Sequence, residues 1–352
     1  MSKLRKQLLD IGLNGQVVSK PENIQYLSGF KGSEGLILVC LDKSFILTDF
    51  RSFSLAKNLK SEAEAILVEK SALNTIANLA NEIGLTKLGL EASHLSYSQF
   101  KDAEKKLSDI KITPTVNFIE HIRLIKDQSE IGLIQKAAEL ADGTLNHIIN
   151  MLVPGVAEAE IANEIDYYLK LAGARKCSFD TIVASGPNSS IPHAIPTQRH
   201  LSKGDLLKID FGAYFDGYCS DITRTFVLGK ASNEQKRLYS IVLEAQKRAL
   251  DTVKPGIKAS QIDKAARDYI ESKKYGQNFG HNTGHGVGME IHEQPSISRV
   301  SDTIIQENMV FTVEPGVYLD GFGGVRIEDL VVAAEDGVNI LSKFEKEKLI
   351  EL

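Results

Sequence analysis

The chain has 352 residues, 43% of them hydrophobic and 25% charged, with a formal net charge of −5. That is ordinary globular usage and excludes extensive disorder. The slight acidity gives no general attraction to nucleic acid or to an anionic membrane. The longest apolar run, near residues 36–41, falls far short of the roughly 20 residues of a membrane span. The opening MSKLRKQLLDIGLNGQ breaks its apolar stretch too early for a signal peptide. Cys40, Cys177 and Cys219 form no CxxC pair. Neither a disulfide framework nor a cysteine zinc site is therefore expected, and the compartment reads as cytoplasmic.

In chain order, residues 35–41 and 44–48 are apolar and flank Asp42-Lys43, which predicts a hairpin. Residues 72–83 have helical spacing, and 87–90 predict a short buried strand. Alternating helices and strands suggest a small α/β domain of roughly 120 residues. Gly29, Gly32 and Gly35 invite a phosphate-loop reading. We reject it because GFKGSEG leads into a strand and not into a helix N-terminus.

The character changes at IRLIKDQSE, residues 122–130. An amphipathic helix is expected over about 129–151, with Ile131, Ile134, Ala138, Ala141, Leu145 and Ile148 on one face. The expected domains are 1–122 and 123–352.

The second domain repeats itself. PGVAEAEI starts at Pro154 and PGIKASQI at Pro255, an offset of 101. DFGAYFDGY starts at Asp210 and EPGVYLDGF at Glu314, an offset of 104. Two matches in the same order predict two halves of similar fold, each a helix, a Pro-Gly turn, a helix and a strand hairpin. Two copies are too few for a solenoid, so a pseudo-two-fold α+β domain with its hairpins facing each other is expected.

Each repeated hairpin starts and ends on an acid, Asp210 and Asp221 in the first, Glu314 and Glu328 in the second. Ionised carboxylates buried singly at the ends of β-branched strands are costly. They are either solvated strand-end acids or neutralised by cations. Four carboxylates balance two divalent ions, which fits a two-metal site. Between the hairpins, HNTGHGVGMEIHE carries His281, His285 and His292, with glycines around His285 that let backbone and metal approach. The spacing is not that of HExxH. His193 stands in SIPHAIP, seventeen residues before Asp210.

The segments IDFGAYFDGYCSDITRT, HNTGHGVGMEIHE, TVEPGVY and GGVRIED resemble the signatures of the pita-bread metallopeptidases, over about residues 123–352. That family includes methionine aminopeptidase, aminopeptidase P, prolidase and the metal-free relative creatinase. The N-terminal unit, with YLSGFKGSEG, resembles the creatinase-type domain of proline-specific members.

The resemblance implies two divalent metal ions, Mn(II) or Co(II), with Zn(II) as a further candidate. Asp210 would hold one, His285 and Glu314 the other, and Asp221 and Glu328 would bridge both. A hydroxide between the metals would attack the scissile carbonyl, with Glu314 as proton shuttle. His292 and His193 would donate to the substrate carbonyl or oxyanion. His281 would line the substrate entrance, and Arg326 would orient ligand carboxylates. Tyr318 and Phe179 are substrate-binding candidates, Phe179 for a pyrrolidine ring.

The extra N-terminal domain argues for peptides with proline in the second position. Some prolidases have arginine four residues after the His of IHE, and here that residue is Ser296. The expectation is therefore an Xaa-Pro aminopeptidase, with Xaa-Pro dipeptidase (prolidase) as the alternative. A metal-free binding module of the same fold would need broken ligand positions, and all five are filled. Homodimerisation is expected by the same resemblance.

Overall fold

The apolar run near residue 38 forms the strand Leu36–Cys40, which pairs antiparallel with Ser44–Thr48. Side chains alternate across a strand. Ile37 and Val39 enter one core with Ile46, while Leu38 and Cys40 enter a second core with Phe45 and Leu47. Both faces are covered, which is why the run is nearly continuous in hydrophobicity. The computed structural model describes residues 1–352. They form two units, Met1–Arg123 and Leu124–Leu352.

In the first unit the sheet has six strands in the order Glu64–Leu67, Ser44–Thr48, Leu36–Cys40, Gly15–Val18, Lys87–Glu91, Lys111–Thr115. Lys87–Glu91 lies parallel to both of its neighbours. The expected helix is present as Ala72–Glu82, capped by Ser71. Residues 29–35 lead into the strand Leu36–Cys40, away from any helix start.

The second unit shows the internal repeat. Gln128–Ile148, capped by Asp127 in a reciprocal capping box with Glu130, and Glu158–Leu171 form one helix pair. Asn233–Thr252 and Ala259–Ser272 form the other. An isolated bridge joins Ala157 to His200 before the second helix of the first pair, and Lys258 to Ile304 before that of the second. Each pair packs on its own sheet, the first of four strands around Leu206–Phe211 and Ile222–Val227, the second of five around Val310–Val313 and Asp329–Ala334.

The hairpins differ at their tips. Phe215 pairs with Tyr218 around Asp216-Gly217, both at positive φ, a two-residue turn suited to Asp-Gly. Leu319 pairs with Gly323 around a three-residue tip. The halves meet directly, for Glu328 N donates to Thr223 O at 3.2 Å and Thr225 Oγ1 to Arg326 O at 2.9 Å. No helix is long and apolar enough to cross a membrane.

Candidate metal centre and active site

All four hairpin acids converge where the halves meet. Asp210 lies on Leu206–Phe211, opposite Thr223 on one side and Ile182 on the other. Asp221 and Glu328 each precede a strand, Ile222–Val227 and Asp329–Ala334. Glu314 follows Val310–Val313, its N–H held by Thr283 O at 2.8 Å. Asp210, Asp221 and Glu328 are buried, so the solvated strand-end reading fails for these three. Glu314 is half-buried.

His285 completes the group. Its Nε2 lies 3.4 Å from Asp221 Oδ2 and 3.4 Å from Glu314 Oε1. Ligand atoms of Asp221, His285 and Glu328 all lie within 4.8 Å of one another. The glycines beside His285 serve backbone approach. A Cβ on Gly284 would stand 1.9 Å from Thr312 O, and one on Gly286 2.1 Å from Gln294 O. They let three strands close up around the imidazole.

The electrostatics call for cations. Burial first, then Asp210 and Glu314, push the Asp221 carboxyl well above its ordinary value. Burial and then Asp221, Glu314 and Asp210 do the same to Glu328. Asp210 Oδ1 and Asp221 Oδ1 are buried without any hydrogen-bond partner. Orphaned buried carboxylate oxygens are rare, and here they face a cluster of like charges beside an imidazole. Hard oxygen donors with one imidazole fit divalent ions, so the residues present suit the metals that the resemblance implies.

Arg326 is buried and ties the group together. It donates from Nη2 to Asp210, from Nε to Thr223 Oγ1 at 3.0 Å, and from Nη1 to Tyr318 Oη at 2.9 Å and Pro192 O at 3.1 Å. Its contacts with the acids are to Asp210 and, at 4.0 Å, to Glu314.

A cavity of about 280 Å³ opens over these groups. Its wall includes Phe179, His193, His281 and His292 together with the five clustered residues and Arg326. The ring of His292 stands 4.4 Å from that of His285, nearly edge-on. Burial and the neighbouring His285 hold His292 below the ordinary histidine value. Burial lowers His281 likewise. Arg267, paired with the buried Asp263, donates to the His281 and Phe279 carbonyls and so fixes the start of this histidine segment.

Tyr318 stands beside the cavity. It is not part of the cavity wall, for its ring is buried behind it and its hydroxyl joins His281 Nε2 at 2.9 Å to Arg326. Burial pushes the phenol up to about 12, so it stays a neutral link.

Several partners were invisible in the sequence. Thr223 Oγ1 donates to Glu328 Oε2 at 2.7 Å, and Thr312 Oγ1 to Glu314 Oε1 at 3.2 Å. Behind Glu328, the buried Arg224 donates to the Glu328 carbonyl and to Asp329 Oδ1 at 2.9 Å. Burial alone would raise the Asp329 carboxyl, but Arg224 and Lys346 outweigh it and hold the group at about 2. Position hinted at only one of these, since Thr312 lies two residues before the Glu314 that it bonds.

Comparison with known proteins agrees. Residues 132–335 match the model of metallopeptidase family M24, and residues 1–125 that of the creatinase/prolidase N-terminal domain. The chain belongs to metallopeptidase family M24. It is a peptidase with the pita-bread catalytic fold behind a creatinase-type N-terminal domain. Membership implies dependence on divalent metal ions. The solved structure of an Xaa-Pro dipeptidase from Bacillus anthracis superposes with a TM-score of 0.97 at 39% identity, covering 100% of this chain and 98% of that one. An Xaa-Pro dipeptidase of Pyrococcus furiosus is 38% identical over 350 residues, 99% of each chain. The X-Pro aminopeptidase from Thermotoga maritima superposes with a TM-score of 0.92 at 36% identity, covering 98% and 99%.

Proposed function

We propose that this M24 peptidase is an Xaa-Pro dipeptidase, cleaving the bond between a first residue and a following proline. The observation that carries this reading is the floor of one cavity. About 280 Å³ lies over four clustered acids and an imidazole, room for a small peptide over a metal-binding floor. The relatives named Xaa-Pro dipeptidase support it over the aminopeptidase that the sequence suggested.

Asp210, Asp221, His285, Glu314 and Glu328 would hold two divalent ions, Mn(II) or Co(II) before Zn(II). When bound, such ions supply Lewis acidity toward the scissile carbonyl and acidify water. Glu314 is the proton carrier. It is the half-buried acid of the four and lies in the cavity wall. An amide nitrogen leaves as an amine only after gaining a proton, which Glu314 takes from water and delivers to the prolyl nitrogen. His292 and His193 donate hydrogen bonds to the substrate carbonyl oxygen as charge develops on it. Phe179, Ile182 and Ile291 offer apolar surface to the pyrrolidine ring. Arg326 keeps Asp210 oriented, with four of its five N–H donors engaged by Asp210, Thr223, Tyr318 and Pro192.

The aminopeptidase remains a second reading on one specific ground. The cavity wall holds no lysine and only the engaged Arg326, and Ser296 supplies no cation for a C-terminal carboxylate. Release of alanine from Ala-Pro by metal-reconstituted protein, against Ala-Ala and against chelated protein, tests the proposal. Cleavage of Ala-Pro alone, abolished by chelator, is expected, and equal cleavage of Ala-Ala would remove proline specificity.

A further inference from the structure

Lys208 is wholly buried and has no part in the chemistry described so far. It lies on Leu206–Phe211 two residues before Asp210, hence on the same face of that strand. No carboxylate pairs with it. Its Nζ donates to Ile191 O at 2.6 Å and to Pro192 O at 3.1 Å, and it stands 5.1 Å from the centre of the Tyr318 ring. An amine buried without a counter-charge needs hydrogen-bond acceptors, and these two carbonyls supply them.

The two carbonyls it holds belong to the residues immediately before His193. The surrounding segment is pinned at its ends by other groups. The buried Glu158 accepts from Ser185 N and Oγ at 2.7 Å each and from Thr197 Oγ1 at 2.6 Å, while Arg199 pairs with Asp205. The centre is different, for Ile191, His193 and Ile195 are exposed. The side-chain hydrogen bonds reaching residues 191–193 come from Lys208 and from Arg326, which shares Pro192 O at 3.1 Å. Arg326 has four acceptors to serve, whereas Lys208 has only these two.

We infer that Lys208 is a positioning residue, fixing His193 at the cavity wall by gripping the Ile191 and Pro192 carbonyls. This rests on the reading of the site given above. In a chain lacking the grip, His193 samples more orientations and donates less well to the substrate carbonyl.

The test is a double-mutant cycle of Lys208→Met, which keeps the apolar stem and removes the donors, with His193→Ala. With His193 present, Lys208→Met is expected to lower kcat/KM for Ala-Pro about tenfold at unchanged metal content. With His193 already alanine, the further loss should be under about twofold. Equal fold losses in both backgrounds overturn the proposal. If Lys208→Met does not fold, Lys208→Gln is carried through the same cycle. A second readout needs no hydrolysis. In the metal-free chain, the ring ¹H–¹³C signal of His193, identified by its loss in His193→Ala, should shift and broaden in the Lys208 variant while that of His147 stays. An unmoved His193 signal overturns the proposal. If the wild-type chain cleaves no Xaa-Pro peptide, the dipeptidase reading fails while the spectrum still decides the role of Lys208.

Discussion

His285 Nε2 lies 3.4 Å from Asp221 Oδ2, although the two residues come from opposite halves of the internal repeat. The same nitrogen is equally far from Glu314 Oε1. One imidazole between two acids, with Glu328 within 4.8 Å of Asp221 and His285, has a direct consequence. Asp221→Ala should lower kcat/KM by roughly a thousandfold or more. Elemental analysis after reconstitution should fall from two metals per chain to one or fewer. Full activity with two metals would contradict the ligand assignment.

Metal-free protein should respond to pH in the opposite sense to most acid-rich folds. The Asp221 and Glu328 carboxyls are pushed up by burial and by the neighbouring acids. A group whose folded value is raised contributes stability that is complete below its unfolded value and lost as pH rises through the folded one. The unfolded values are about 3.9 and 4.3. The melting temperature of chelated protein should therefore fall as pH rises past those unfolded values, above about pH 5, as followed by calorimetry. Metal-saturated protein should not show that fall, and metal uptake should release protons. A metal-free melting temperature that climbs over this range would count against the raised carboxyls.

The four acids were legible because the repeat set them at matched strand ends, where a lone carboxylate makes little physical sense, and His285 because it stands among glycines between the two hairpins. The hairpin after Leu36–Cys40 and the helix from Gln128 were legible from periodicity. The groups that hold the acids were not. Thr223 and Glu328 are 105 residues apart, and so are Arg224 and Asp329. Nothing local in the sequence announces such pairs. The bonds of Tyr318 to His281 and Arg326 were not legible either, because alternation along Gly316–Leu319 does not say what each face meets. The substrate length was also out of reach, since Ser296 reports only which cation is missing.

Arg326 should matter for stability as well as rate. Its side chain is 3% exposed and donates to Asp210, Thr223, Tyr318 and the Pro192 carbonyl. Arg326→Met leaves the buried Asp210 carboxylate without its ion-pair partner. Breaking one partner of a buried pair costs about 3–5 kcal/mol. Denaturant unfolding should show a loss of that order, together with a severe loss of activity. A loss within about 0.5 kcal/mol, as for an ordinary surface position, would contradict the network.

Glu158 should control the segment that carries His193. It is fully buried and accepts from Ser185, Asn188 and Thr197. Glu158→Ala strands these donors, each at about 1–3 kcal/mol. Hydrogen exchange of residues 186–197 should accelerate more than that of the helix Asn233–Thr252. Uniform acceleration across the unit would instead indicate global destabilisation.

The cavity should take dipeptides in preference to longer peptides. Protein loaded with Mn(II) should be incubated with Ala-Pro and with Ala-Pro-Gly-Gly at equal concentration, and released alanine followed. Cleavage of Ala-Pro and little or none of the tetrapeptide is expected. Equal or faster cleavage of Ala-Pro-Gly-Gly would contradict it, and would make the enzyme an Xaa-Pro aminopeptidase with a cleft open at the far end.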